Sequence, residues 1–124
     1  MLRWIVNAVS ALSILSNAHA SDWRLVWEDD KVEYFHDYDS FIKEGDLLSY
    51  WTRINYLTGD HQGKSQGYFY IMDCKNREYK IRYVIVYSEK NFRGTKIDSK
   101  YDTKDWTPIV PDSAADRTFN RYCR

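Results

Sequence analysis

From residue 23 onward, apolar and polar residues alternate with a period of two, the pattern of half-buried strands. Trp23, Leu25 and Trp27 alternate with Arg24 and Glu28. Asp29-Asp30 marks a turn, and 31–36 alternates again through Val32 and Tyr34. Asp39-Ser40 opens a short irregular or single-turn segment, which the Gly45-Asp46 turn closes. Residues 47–57 read as a long strand, with Leu48, Tyr50, Ile54 and Tyr56 on one face and Trp51 on the other. A polar hairpin loop spans 58–64, and strands over 67–74 and 78–88 follow, joined by Lys75-Asn76-Arg77. Gly94 punctuates the next stretch, and 96–101 is a sixth strand. In the strand over 78–88, alternation places Tyr79, Ile81, Tyr83, Ile85 and Tyr87 together on a core face, with Lys80 and Arg82 opposite.

The period changes near the C-terminus. Residues 106–111 are extended, because each proline disfavours helix in the residue before it. Ser113, followed three residues later by Asp116, is a weak form of the capping box and predicts a helix over 114–122. Ala115, Phe119 and Tyr122 share one face of that helix. So short a helix is marginal alone and must dock. The sheet face carrying Tyr68, Tyr70, Met72 and Cys74 is where it is expected to lie.

The first twenty residues are of another kind. Arg3 precedes an apolar stretch from Trp4 to Leu15, and Ala18-His19-Ala20 follows. This three-part pattern predicts a signal peptide over 1–20, cut before Ser21, and a single domain over 21–124. No cysteine precedes Cys74, so the mature chain is expected without a lipid-attachment cysteine, soluble in the periplasm or beyond. No apolar run reaches the length of about 18 residues that a transmembrane helix needs.

Export changes how the two cysteines read. In an oxidising compartment Cys74 and Cys123 pair as one structural disulfide, and their distance in sequence argues against a redox pair. The fold class that follows is α+β: an antiparallel meander sheet of about five to six strands, with one C-terminal helix tied to a sheet face by that disulfide. Loss of Arg3 and Trp4 with the leader leaves 17 basic and 18 acidic side chains, with four Trp, eleven Tyr and five Phe. A domain this small buries only about 60–65% of its unfolded surface, so many rings must be half open to water or shared with a partner.

The near-balanced charge excludes the basic profile of a general nucleic-acid binder. It is unevenly spread, however. Residues 21–46 hold nine acids and three bases, whereas 75–104 hold nine bases and four acids. Either the segments are adjacent strands whose charges pair across the sheet, or they set up a field that steers an acidic partner. Pairing across adjacent strands is the expectation.

Candidate chemistry is sparse. His36 stands beside Asp37, but no nucleophile motif accompanies it, and it reads as a polar edge residue. Asp60-His61 offers two metal ligands where three or four are needed. There is no phosphate-cradling glycine loop. The chain is therefore expected to be a non-enzyme, with no cofactor and no metal.

Taken in order, Trp27, Tyr34, Asp39-Ser40-Phe41-Ile42, Gly45 and Tyr50-Trp51 resemble the first half of bacterial surface-adhesin protein E-like domains. Ser65, Asp73-Cys74, Tyr87-Ser88, residues 106–113 and Cys123 resemble the second half. The resemblance implies an antiparallel sheet with a disulfide-held C-terminal helix. It also implies binding of host extracellular matrix and serum proteins, in a family whose founding adhesin is a lipoprotein, and it allows a homodimer. The functional expectation is an exported, adhesin-like, non-catalytic domain that holds a matrix or anionic envelope macromolecule. The other reading is a periplasmic accessory protein with a bacterial envelope partner. The candidate contact residues are Lys75, Arg77, Lys80, Arg82, Lys90, Arg93 and Lys96, with Lys80 and Arg82 at the centre.

Overall fold

The computed structural model describes residues 21–101 and 105–124, so the expected leader over 1–20 lies outside the described residues. The elements are β1 (Trp23–Glu28), β2 (Val32–Asp37), β3 (Ile42–Glu44), β4 (Leu47–Tyr56), β5 (Ser65–Asp73), β6 (Glu78–Tyr87), β7 (Lys96–Tyr101), β8 (Thr107–Pro108) and α1 (Ala114–Tyr122). They form one antiparallel sheet in the order β1-β2-β4-β5-β6-β7. The two short strands share edges with longer ones. β3 continues the line of β2 along β4, and β8 lies beside the first residues of β6, where β7 no longer reaches. The expected meander is therefore present, extended by two short strands to eight.

Local side chains hold the breaks in this meander. The Asp37 carboxylate accepts the backbone N–H groups of Asp22 (2.8 Å) and Asp39 (3.1 Å). The Ser40 hydroxyl donates to the Asp37 carbonyl (2.7 Å) and accepts the Trp51 N–H (2.9 Å). Those bonds pin the 3-10 turn at 38–40 that separates β2 from β3. Gly45, at φ +60°, supplies the left-handed position between β3 and β4.

Helix α1 covers the lower half of one sheet face, hereafter the front. Leu48, Tyr50, Met72, Ile109 and Phe119 are buried there, with Phe41, Tyr70, Tyr79, Ala115 and Tyr122 packed around them. The Cys74–Cys123 disulfide joins the end of the helix to the sheet, at a Cα–Cα separation of 5.4 Å. Ser113 caps the helix by accepting the Asp116 N–H (3.2 Å). The Asp116 carboxylate accepts the Asp112 N–H (2.9 Å) and pairs with Arg77 (2.8 Å), whose guanidinium lies 4.4 Å from the Phe119 ring centroid. Cap, ion pair and disulfide thus hold a helix that its own nine residues would not stabilise.

One expected face is corrected. Tyr79 to Tyr87 do not share a side, because a bulge places Arg82 as the extra residue in β6: Tyr70 pairs with Ile81, and Phe69 with Tyr83. Tyr79 and Ile81 face the helix, whereas Tyr83, Ile85 and Tyr87 face the opposite, back side. The reason lies in the cover available. The short helix reaches only the lower front, and the loop 88–95 folds over the upper back, where the later side chains find apolar neighbours. There Phe92 meets Tyr87 (5.2 Å between centroids) and Trp23 (5.3 Å). Gly67 permits that approach, since a Cβ would stand 2.7 Å from Phe92 Cζ and 2.8 Å from Ile85 Cγ1. Asn55 donates to Asn91 Oδ1 (2.8 Å) and accepts the Asn91 N–H (2.9 Å), locking the loop to β4.

Candidate binding surfaces

The sheet order separates the charged segments. The acidic stretch forms β1, β2 and β3 on one side, the basic stretch forms β6 and β7 on the other, and β4 and β5 run between them. The expected pairing across adjacent strands is thereby overturned. Among the described residues the ion pairs are Arg24–Asp22 and Arg77–Asp116, and neither joins the two segments. The molecule carries its negative and positive charge at opposite edges.

The structure scatters the candidate basic residues over three places. Lys75 and Arg77 sit at the β5–β6 turn, where the Lys75 N–H bonds the Asp73 carboxylate (2.9 Å) and Arg77 is engaged with the helix. Lys90 and Arg93 ride on the loop over the upper back face, and Lys96 begins β7 at the same end. Lys80 and Arg82 alone reach the open lower back face. The Lys80 ammonium lies 4.9 Å from the Trp106 ring centroid, and Arg82 is exposed at the bulge, 5.8 Å from the Tyr83 ring. The side chains of Lys100 and Lys104 lie outside the described residues.

An aromatic floor adjoins these two cations. Trp51 packs on Phe69 (5.2 Å) and stacks with Tyr83 (6.3 Å, interplanar angle 14°). Beside it, a shallow cavity of about 230 Å³ is lined by Arg82, Phe69 and Ile71, by Leu47 and Ser49 of β4, and by Ile42 and Glu44 of β3. Ile42 and Leu47 are 54% and 45% exposed. Half-buried rings, exposed aliphatic residues and a free guanidinium are the composition of a protein-binding patch.

His36 differs from its expectation as a polar edge residue. It is buried, 5.2 Å from the Tyr50 ring and 5.5 Å from the Phe41 ring. Burial, reinforced by the positive charge of Arg121, pulls its pKa down to about 4. The Asp37 carboxylate does not orient it, being engaged with backbone N–H groups. The same burial raises the tyrosines around it, Tyr34 and Tyr70, so both stay protonated at neutral pH. Among the described residues no group of three or more His, Cys, Asp or Glu is placed to hold a metal ion. His61 lies in its hairpin loop with its ring 5.5 Å from that of Tyr56.

Residues 23–124, which span the meander sheet and its disulfide-held C-terminal helix, match the family model described as surface-adhesin protein E. The chain belongs to the surface-adhesin protein E family. No curated protein and no solved structure matches it. Membership in this adhesin family places the domain among binding proteins of the cell surface. No helix among the described residues is long and apolar enough to cross a membrane. What the sequence reading missed in this family member is a cleft on the helix side, lined by Trp27, Tyr34, His36, Tyr38, Arg117 and Arg121. The only trace in the sequence was the i, i+4 spacing of the two arginines, which puts them on one helix face.

Proposed function

We propose that this adhesin-family domain is exported and acts without catalysis, holding an acidic macromolecule of the extracellular matrix or the envelope on its open lower back face. The observation that supports this reading is the meeting of Lys80 and Arg82 with the Trp51–Phe69–Tyr83 floor, on the side the helix leaves bare. Rings supply desolvated contact area, and the cations at the basic edge of the sheet supply steering. The acidic edge across the sheet orients an approaching anion toward the basic one. Lys75, Arg77, Lys90, Arg93 and Lys96 then act through the field of that edge rather than as one contact patch.

The variant K80E/R82E reverses two charges in exposed or half-exposed positions. Measured against matrix proteins and envelope fractions at low and physiological salt, it should lose tenfold or more in affinity, the parent's binding falling as the Debye length shrinks to about 8 Å. If the folded variant binds every partner as the parent does, the back-face reading is wrong. Export is tested separately by N-terminal sequencing of the purified protein, which should begin at Ser21.

A further inference from the structure

Helix α1 leaves a two-part cleft between itself and the β1–β2 hairpin. The outer part, about 500 Å³, opens to solvent beside Trp27, Tyr38, Arg117 and Arg121. The inner part, about 170 Å³, lies under the helix against Tyr50, Thr52, Tyr70 and Tyr79. Tyr34, His36, Ala114 and Thr118 line both parts. The outer part by itself is in the range of small-molecule sites, which run to about 300–1,000 Å³.

The two parts differ in chemistry. At the mouth, the Arg117 guanidinium lies 5.8 Å from the Trp27 ring centroid and that of Arg121 lies 5.9 Å from the Tyr38 ring. Neither arginine is paired with a carboxylate among the described residues, and no Asp or Glu lines either part of the cleft. Trp27 is 39% exposed, so its ring is open to a ligand. The inner part is neutral and rich in hydroxyl groups. Thr52 is 0% exposed, and its hydroxyl has no hydrogen-bond partner among the described residues. A buried hydroxyl without a partner is costly, and a ligand that supplies one recovers that loss. An aliphatic tail would leave these groups desolvated and unpaired, which disfavours a fatty acid.

We propose that this cleft binds an acidic sugar of the uronic-acid type: its carboxylate between Arg117 and Arg121, its ring against Trp27, and its hydroxyls toward His36 and Thr52. Two arginines one helical turn apart suit a carboxylate, and an aromatic wall suits the apolar face of a pyranose. The site lies on the helix side of the sheet, independent of the back-face surface, and it would let one domain hold a protein-like partner and a glycan end at once.

The test is titration of the purified protein with galacturonic acid, galactose and octanoate, followed by the Trp27 indole N–H resonance and by calorimetry. Galacturonic acid should bind at least tenfold more tightly than galactose, and octanoate should not compete. R117Q/R121Q, both exposed positions, should keep its melting temperature and reduce galacturonic acid to the level of galactose. Thr52→Val should weaken both sugars severalfold, while K80E/R82E should leave sugar binding unchanged. Equal binding of the acid and the neutral sugar, undiminished binding by R117Q/R121Q, or displacement of the sugar by octanoate would each overturn the proposal.

Discussion

Cys74→Ser, Cys123→Ser will unfold with about 2–5 kcal/mol less free energy than the parent under oxidising conditions. The disulfide closes a segment 49 residues apart in sequence. The chain-entropy relation assigns roughly 4 kcal/mol to a loop of that size, acting mainly on the unfolded state. That is a large part of the stability of about 5–15 kcal/mol typical of a single domain. Local effects add to it, because the bridge holds the C-terminal end of α1 against β5, leaving Ser113 and the Arg77–Asp116 pair to hold the other end. Denaturant titration separates the two contributions. If the unfolded chain expands without the bridge, the slope against denaturant rises as the midpoint falls. A double variant with the parent's midpoint and slope would show that the bridge is energetically idle.

Acidification from pH 7 to 4.5 should destabilise the protein, and His36 should account for most of the loss. Its folded pKa is about 4, below the ordinary value of 6.5 that the unfolded chain retains. Between those values the unfolded state binds the extra proton, so stability is complete above about pH 6.5 and falls as pH drops toward 4. The full difference is roughly 3 kcal/mol. The groups against the ring are Phe41 and Tyr50, with Arg121 adding positive charge, so nothing nearby compensates an imidazolium. Asp29, Asp73 and Asp116, whose pKa values are lowered by hydrogen bonds, act in a separate window, losing their contribution as pH falls below the ordinary value of 3.8. His36→Gln should therefore flatten the parent's profile between pH 6.5 and about 4, leaving in place the carboxylate contribution that is lost below pH 3.8. Parallel profiles for parent and variant would refute this assignment.

These three residues mark how far the sequence was legible. Cys74 and Cys123 could be paired from their number and the expected export alone, since two cysteines allow one bridge. His36 could not be placed, because β2 has an edge-like sequence but is covered by β1 on one side and by Phe41 and Tyr50 above it. Its burial is a property of what arrives from elsewhere in the chain.

Strand alternation, turn residues and the Ser113 cap are local signals. They determined the meander, the break at Asp39-Ser40 and the helix at 114–122, while the pairing of Cys123 with Cys74 set the face on which that helix docks. Three things were decided only by the tertiary structure. The Arg82 bulge turns Tyr83, Ile85 and Tyr87, three of the five residues of the Tyr79–Tyr87 stripe, to the back, and the sequence cannot show it, because its apolar–polar pattern runs on unbroken through the inserted residue that switches the faces. The separation of acidic and basic edges depends on β4 and β5 running between them, a matter of strand order rather than of composition. The cleft under α1 exists because a helix of nine residues is too short to cover the front face it docks on, leaving Trp27, Thr52 and the two arginines around space that no local pattern encodes.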